Sequence, residues 1–175
     1  MVAAHHMLAA KIQITYQFIQ DCVVRSIQSV CRTMLHCDAA LLAPETNAAP
    51  AGSLPLSQIV GSVGFVGGID GLIYLCLPEE FAKIASGRML GMSPNEIEMH
   101  GHEVIHDAIG EITNMTVGGF KNTLCDFGFP CRLTLPTIVR GHKLTIAAIK
   151  SATRHIFHFD CSGHRVVADV QIKLE

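Results

Sequence analysis

The chain has 175 residues, of which 49% are hydrophobic and 16% are charged, with a formal net charge of -2. This composition excludes a disordered chain, and the length predicts one domain over residues 1–175. The balanced charge, with no cluster of lysine and arginine, argues against nucleic acid or an acidic membrane surface as a partner. No run of about 18 apolar residues is present, so we expect no transmembrane helix.

The cysteine pattern indicates a reducing compartment. Seven cysteines are scattered through the chain without a C-x-x-C pair. An odd, scattered set favours reduced thiols, mostly buried, over a disulfide framework or a zinc site. The N-terminal stretch lacks a basic segment before an apolar core, which argues against a signal peptide. We therefore expect a cytoplasmic protein.

The first half of the chain predicts a helix, a short strand, a loop and a hairpin. Apolar residues recur every three or four positions in the helix, three prolines mark the loop, and Gly67-Gly68 marks the turn of the hairpin. In chain order these elements are the helix over residues 10–36, the strand over 38–42, the loop over 43–55, and the hairpin strands 56–66 and 69–77.

The second half predicts two helices followed by strands. The first helix begins at Pro78 and ends near Leu90, and the second begins at Ser93, which forms a capping box with Glu96, and continues to about Cys125. After Gly128 the hydrophobic period changes to two, which is typical of strands. The predicted strands are 131–139, 142–151, 154–161 and 166–174.

These elements together predict an α/β (α+β) fold, a two-layer sandwich with long helices on one face of a mostly antiparallel sheet. In the last predicted strand, Val166, Val170 and Ile172 belong to one face. Asp169 and Gln171 belong to the other face.

The second of these two helices carries an unusual polar stripe. Asp107, Glu111 and Asn114 are spaced four and three residues apart, so they share one narrow face, and Gly118 falls on the same face. A carboxylate and a carboxamide one turn apart, beside a bare glycine, could reach into the active site of another molecule. The opposite side of the helix is apolar and consists of Ile105, Ala108, Ile109, Ile112, Met115, Thr116 and Phe120.

The pattern Asp107-x-x-x-Glu111-x-x-Asn114, followed by Pro136, resembles the signature of the CheC, CheX and FliY family. These proteins hydrolyse the phospho-aspartate of the chemotaxis response regulator CheY. The hairpin before the motif helix and the segment 133–139 are also similar to the family, and the resemblance runs from about residue 12 to the end. No glutamate precedes Glu45, so a second site is missing and the chain looks most like CheX.

The resemblance implies a role for each motif residue. Glu111 would pair with the active-site lysine of a phosphorylated CheY-like response regulator and dock the helix, while Asp107 would support the helix or the docking. Asn114 suits the task of orienting the attacking water, because a carboxamide accepts and donates hydrogen bonds without adding negative charge near phosphate. Gly118 would permit close approach of the partner, and Pro136 would be structural.

The resemblance also implies a homodimer formed by pairing of edge strands into one continuous sheet. It implies no cofactor of the chain's own, because the divalent metal belongs to the partner receiver. Together these expectations describe an aspartyl-phosphate phosphatase in chemotaxis signalling.

Three alternatives compete with this prediction. The polar stripe fits a solvated helix face, and the same fold could be a non-catalytic module that binds a receiver or a flagellar protein. The sequence His102-Glu103-x-x-His106 also matches the H-E-x-x-H signature of zinc metalloproteases. The metzincin extension would need glycine and histidine where the chain has Ile109 and Ile112, so the match is weak.

Overall fold

The computed structural model describes residues 14–43 and 57–173. Within these ranges the strands form one seven-stranded sheet in the order β1-β6-β7-β3-β2-β4, with β5 also paired to β2, and every pairing is antiparallel. This confirms the predicted α/β fold with an antiparallel sheet. The elements are α1 (Tyr16–Met34), β1 (Ala39–Leu41), β2 (Ser57–Gly67), β3 (Asp70–Pro78), α2 (Glu79–Leu90), α3 (Pro94–His100), α4 (His102–Asp126), β4 (Cys131–Leu133), β5 (Thr137–His142), β6 (Thr153–Cys161) and β7 (His164–Lys173).

The main core lies between the helices and one face of the sheet. Helix α1 buries Ile19, Val23 and Ile27 there, as the three-and-four spacing predicts. Phe65 from β2 and Phe120 from α4 meet in the same core, with ring centroids 5.5 Å apart. Burial of these apolar side chains fixes which face of each helix is turned away from solvent.

Helix α4 lies unusually close to strand β2. A Cβ atom built on Gly61 would fall 2.0 Å from Thr113 Oγ1 and 2.9 Å from Thr113 Cβ, so no side chain fits at this position. Thr113 is fully buried, and its hydroxyl donates to the carbonyl of Ile109 at 2.7 Å. Helix α1 also approaches α4 closely, at Gly119, where an added Cβ atom would lie 3.1 Å from Ser26 Oγ. The helix that carries the motif is therefore held on two sides.

The second face of the sheet is covered by a loop, which corrects one prediction. Residues 143–152 form no strand, and β5 ends at His142. Leu144 and Ile146 pack over the small apolar cluster of Val60, Cys76 and Val167 on the second face of the sheet. The strand predicted over 142–151 is wrong because its apolar residues cover the sheet instead of joining it.

Two polar residues of β7, Asp169 and Gln171, are buried on this second face of the sheet. Gln171 donates from Nε2 to the carbonyl of Ala147 at 3.1 Å and accepts from the backbone N–H of Ile149 at 2.8 Å. Asp169 is 2% exposed and accepts from the guanidinium of Arg154 at 2.5 to 3.0 Å. The predicted alternation of this strand is correct, and its two buried polar residues have hydrogen-bond partners within the protein, those of Gln171 in the loop and that of Asp169 in β6.

Two further boundaries differ from the prediction. The helix predicted from Ser93 to about Cys125 is divided at Gly101, whose φ of 76° and ψ of -161° end α3 before α4 begins. The expected strand 131–139 is interrupted between β4 and β5. The predicted capping box of Ser93 and Glu96 is confirmed, and hydrogen bonds from Ser93 lower the pKa of the Glu96 carboxyl.

Helix α1 begins at Tyr16 with Thr15 as its N-cap, later than predicted, and residues 10–13 lie outside the described ranges. The loop predicted over 43–55 falls almost entirely outside them as well. All seven cysteines are free, and burial raises the pKa of Cys22 to about 11 and that of Cys76 to about 12. Across the described part of the chain, no helix combines the length and apolar character that a membrane span requires.

Candidate active site

Helix α4 runs along the edge of the sheet formed by β4 and β5. A methyl group built on Gly118 would lie 3.9 Å from Leu133 Cδ1 at the end of β4, and one built on Gly110 would lie 3.8 Å from Ile138 Cγ1 in β5. These two contacts show that the helix runs antiparallel to the edge strands. The segment 134–137, between the two contacts, therefore lies alongside the middle of this stretch of α4.

A β-bulge interrupts the edge at this level. Phe65 of β2 pairs with Leu133, and Ser62 pairs with Thr137, so two residues of β2 face three residues of the edge. Thr134 still bonds Gly64 of β2: its backbone N–H donates to the Gly64 carbonyl, and its Oγ1 accepts from the Gly64 N–H, both at 2.9 Å. The extra residue therefore belongs to the pair Leu135 and Pro136. A proline, which has no N–H, is suited to a bulge on an edge strand.

Asn114 lies opposite this bulge. It is midway between Gly110 and Gly118 along α4, and at 100° per residue it also lies midway between them around the helix. Since those glycines face the two ends of the interrupted edge, Asn114 faces the bulge of Leu135 and Pro136. The fold thus places the proline of the predicted signature at the level of its asparagine along the helix.

The polar stripe of α4 is open to solvent. Glu111 is exposed, Asn114 is half-buried, and the Asp107 side chain is 89% exposed, next to His106 Nδ1 at 3.9 Å. Within residues 14–43 and 57–173, neither Glu111 nor Asn114 makes a side-chain hydrogen bond or ion pair. A carboxylate and a carboxamide one turn apart on a packed helix are therefore available to another molecule, as the prediction requires.

The charges of this surface fit a cationic partner group. Asp107 and Glu111 place two carboxylates on the stripe, and Lys121 is more than two turns further along the helix. The edge from Leu133 to Val139 contains no charged residue. A molecule that binds here meets carboxylates on one side of Asn114 and an uncharged rim on the other.

The H-E-x-x-H residues are arranged differently from a zinc site. His102 Nδ1 bonds the guanidinium of Arg140 in β5 at 2.5 Å, and Arg140 also pairs with Glu79 at the start of α2. In the part of the chain that the structure describes, no group of three or more histidine, cysteine, aspartate or glutamate residues could hold a metal ion. The zinc interpretation gains no support from this geometry.

Sequence reasoning missed two residues near the motif helix. Arg140 joins the starts of α2 and α4 to β5, but a lone arginine in a β-rich run gives no signal of this contact. Leu135 is 88% exposed beside the motif, and its signal was present in the uncharged run that surrounds Pro136.

Comparison with known proteins identifies the family. The family model described as chemotaxis phosphatase CheX matches residues 59–160, more than half of the chain. The chain belongs to the CheX family. The matched region contains the hairpin of β2 and β3, the motif helix and Pro136, so the resemblance expected from the sequence is confirmed.

Individual relatives agree with this assignment. The CheY-P phosphatase CheX of Thermotoga maritima is 38% identical over 90 residues, which span 51% of this chain and 56% of that protein. A CheC-like superfamily protein from Shewanella sp. PV-4 superposes with a TM-score of 0.75 at 25% identity, over 89% of this chain and 97% of that one. The Borrelia burgdorferi CheX, crystallised in a complex with CheY, BeF3 and Mg²⁺, shares the fold with a TM-score of 0.68 at 19% identity, over 93% of this chain and 100% of that one.

Proposed function

We propose that this chain hydrolyses the aspartyl phosphate of a CheY-type receiver in chemotaxis signalling. The observation that carries the proposal is the pair of an exposed Glu111 and a half-buried Asn114 on the motif helix of a CheX-family fold, neither of which has a side-chain partner among the residues that the structure describes. The Thermotoga relative, named as a CheY-P phosphatase, supports the same reaction. The chain spans only about half of that relative, so its activity and its partner are stated here as our proposal.

Asn114 is proposed to orient the attacking water. Hydrolysis of an acyl phosphate requires a water molecule in line with the phosphorus, and positioning supplies most of the rate gain in phosphoryl transfer. The carboxamide of Asn114 can hold that water through its oxygen or its N–H groups without bringing negative charge to the phosphoryl oxygens. Its place on a helix packed against β2 and α1 gives it a fixed direction of approach.

Glu111 is proposed to dock the receiver. Its carboxylate would repel a phosphoryl group unless a cation stood between them, so we assign it an ion pair with the receiver's active-site lysine. Asp107 would support this docking from one turn earlier on the same stripe. Gly118 would leave room for the receiver, and Pro136 would shape the edge beside Asn114.

The divalent metal of the reaction is assigned to the receiver. The Borrelia complex contains CheY with BeF3 and Mg²⁺, which is the chemistry of an acyl-phosphate site with its own metal. We therefore propose that this chain contributes side chains and no cofactor. Its free thiols fit a reducing compartment such as the cytoplasm.

We also propose a homodimer formed by pairing of edge strands. The sheet order places β1 at one end of the sheet and β4 and β5 along the other. Pairing through β5 would bring a second copy next to the motif helix, whereas pairing through β1 would leave both copies of the site open. The β1 edge is therefore the one compatible with receiver binding.

The decisive experiment measures phosphate release from a CheY-type receiver of the same organism, phosphorylated with acetyl phosphate and Mg²⁺. Asn114→Ala is expected to slow hydrolysis about 100-fold or more, the loss typical of one removed stabilising group. Binding of the beryllofluoride-loaded receiver should remain close to that of the unmodified chain. Glu111→Ala should weaken receiver binding and slow hydrolysis, because the receiver must dock before Asn114 can orient the attacking water.

Matched controls are available on the same helix. Asn122→Ala removes an exposed asparagine two turns beyond Asn114 and should leave the rate unchanged. Glu103→Gln removes an exposed glutamate two turns before Glu111 and should also be silent, although it would inactivate a zinc protease. Hydrolysis by Asn114→Ala at the unmodified rate would contradict the proposed mechanism. Receiver binding without hydrolysis by the unmodified chain would indicate the non-catalytic module instead.

A further inference from the structure

The rim beside Asn114 carries an apolar side chain that the fold leaves in solvent. Leu135 is 88% exposed, and it lies in the bulge between β4 and β5. A single exposed leucine is common on protein surfaces and has no meaning by itself. Its position is informative here because a bulge on an edge strand redirects side chains, and bulges are frequent next to active sites.

The neighbours of Leu135 extend the apolar rim. Pro136 is exposed beside it, and Val139 of β5 is 48% exposed. Between Leu133 and Val139 every residue is uncharged. The rim lies level with the polar stripe, because Asn114 is midway between Gly110 and Gly118, which lie beside Ile138 and Leu133 at the two ends of the bulge.

We propose that Leu135 is a specificity residue that contacts an apolar side chain of the receiver next to its acyl phosphate. The inference rests on the proposed function and defines the partner more closely. The receiver surface would present a cation to Glu111 and, on the other side of the phosphoryl group, an apolar residue to Leu135. The charged contact fixes the register of docking, and the apolar contact contributes affinity without touching the reacting atoms.

The test is the kinetics of Leu135→Ser with the acetyl-phosphate-loaded receiver. Loss of one buried leucine contact is expected to raise KM about 10-fold. The kcat should stay within about 2-fold, since the contact binds ground state and transition state equally. Leu90→Ser is the matched control, because Leu90 is a 42% exposed leucine at the end of α2. It should leave both constants unchanged.

Other outcomes overturn the inference. An unchanged KM, or a loss confined to kcat, shows that Leu135 is not a docking contact. A change in sedimentation of Leu135→Ser alone shows that the rim pairs two copies of this chain instead.

The inference and the proposed function can fail separately. If Asn114→Ala slows phosphate release while Leu135→Ser has the KM of the unmodified chain, the proposed function stands and only the inference about Leu135 fails. If the unmodified chain releases no phosphate, binding of the beryllofluoride-loaded receiver decides. If Leu135→Ser raises the Kd about 10-fold, the proposed contact is supported. If the Kd is unchanged, or if the unmodified chain does not bind, the proposed contact is refuted.

Discussion

Replacing Gly61 with alanine should loosen α4 from β2 without changing any residue of the motif. The added methyl would fall 2.0 Å from Thr113 Oγ1, 2.9 Å from Thr113 Cβ and 3.1 Å from Thr113 Cγ2. Rotation of Thr113 could move its hydroxyl and methyl but not its Cβ. Because carbon atoms in contact prefer about 3.5 Å or more, the helix and the strand must separate by roughly 0.6 Å.

The energy of this change follows from the packing. Overfilling a closely packed contact costs about 1–3 kcal/mol. A loss of about 2 kcal/mol lowers the Tm of a domain of this size by roughly 4–8 °C. Thr113 is next to Ile112 and Asn114 in α4, so the displacement also moves the proposed water-orienting group. We expect slower hydrolysis, because small misplacements of a positioning group reduce catalysis strongly.

Circular dichroism melting and phosphate release together measure the two effects. Gly110→Ala is the matched control, since its methyl would meet Ile138 at an ordinary 3.8 Å, and it should not lower the Tm. The double variant Gly61→Ala/Thr113→Ala should recover part of the lost stability by removing Oγ1 and Cγ2. If Gly61→Ala melts within about 1 °C of the unmodified chain, the close seating of α4 on β2 is refuted.

Two other predictions concern the motif helix and the pH dependence of stability. Gly118→Ala should raise the free energy of unfolding by about 0.5–1 kcal/mol in chemical denaturation, because alanine favours helix and the methyl fits at 3.9 Å from Leu133. It should nevertheless slow phosphate release relative to Gly110→Ala, and equal activities would show that Gly118 does not face the receiver. Burial beside Tyr16 lowers the pKa of His155 below 6.5, so its contribution to stability is complete above about pH 6.5 and is lost as the pH falls through the lowered pKa. His155→Phe should therefore reduce the fall of Tm on acidification, and an unchanged pH profile would contradict this.

The sequence predicted the elements whose periodicity reflects one buried face. Helix α1, the hairpin of β2 and β3, and the buried side of α4 follow the three-and-four or alternating spacing of their apolar residues. The pair Glu111 and Asn114 was found from the same spacing, because residues four and three apart share a stripe. The antiparallel sheet followed from the short connections between the strands.

The errors have physical causes that a local pattern does not contain. Leu144 and Ile146 have the spacing of a strand, but they cover the second face of the sheet, a tertiary contact. The sequence did not predict the burial of Gln171, because its partners, backbone groups of that loop, are distant in sequence. Gly101 looked like a weak helix residue because its positive φ is visible only in the structure. The meeting of the bulge with Asn114 likewise depends on strand register.

The two faces of the sheet are covered differently, one by helices and the other by a loop. The helices protect one face, while the loop of residues 143–152 protects the other and is anchored by Gln171, which bonds Ala147 and Ile149. Transient detachment of that loop would expose the apolar cluster of Val60, Cys76 and Val167 to water without removing a helix from the opposite face. Opening of the face under the loop, with its small apolar cluster, is therefore expected at a lower free energy than opening of the helical layer that carries Asn114.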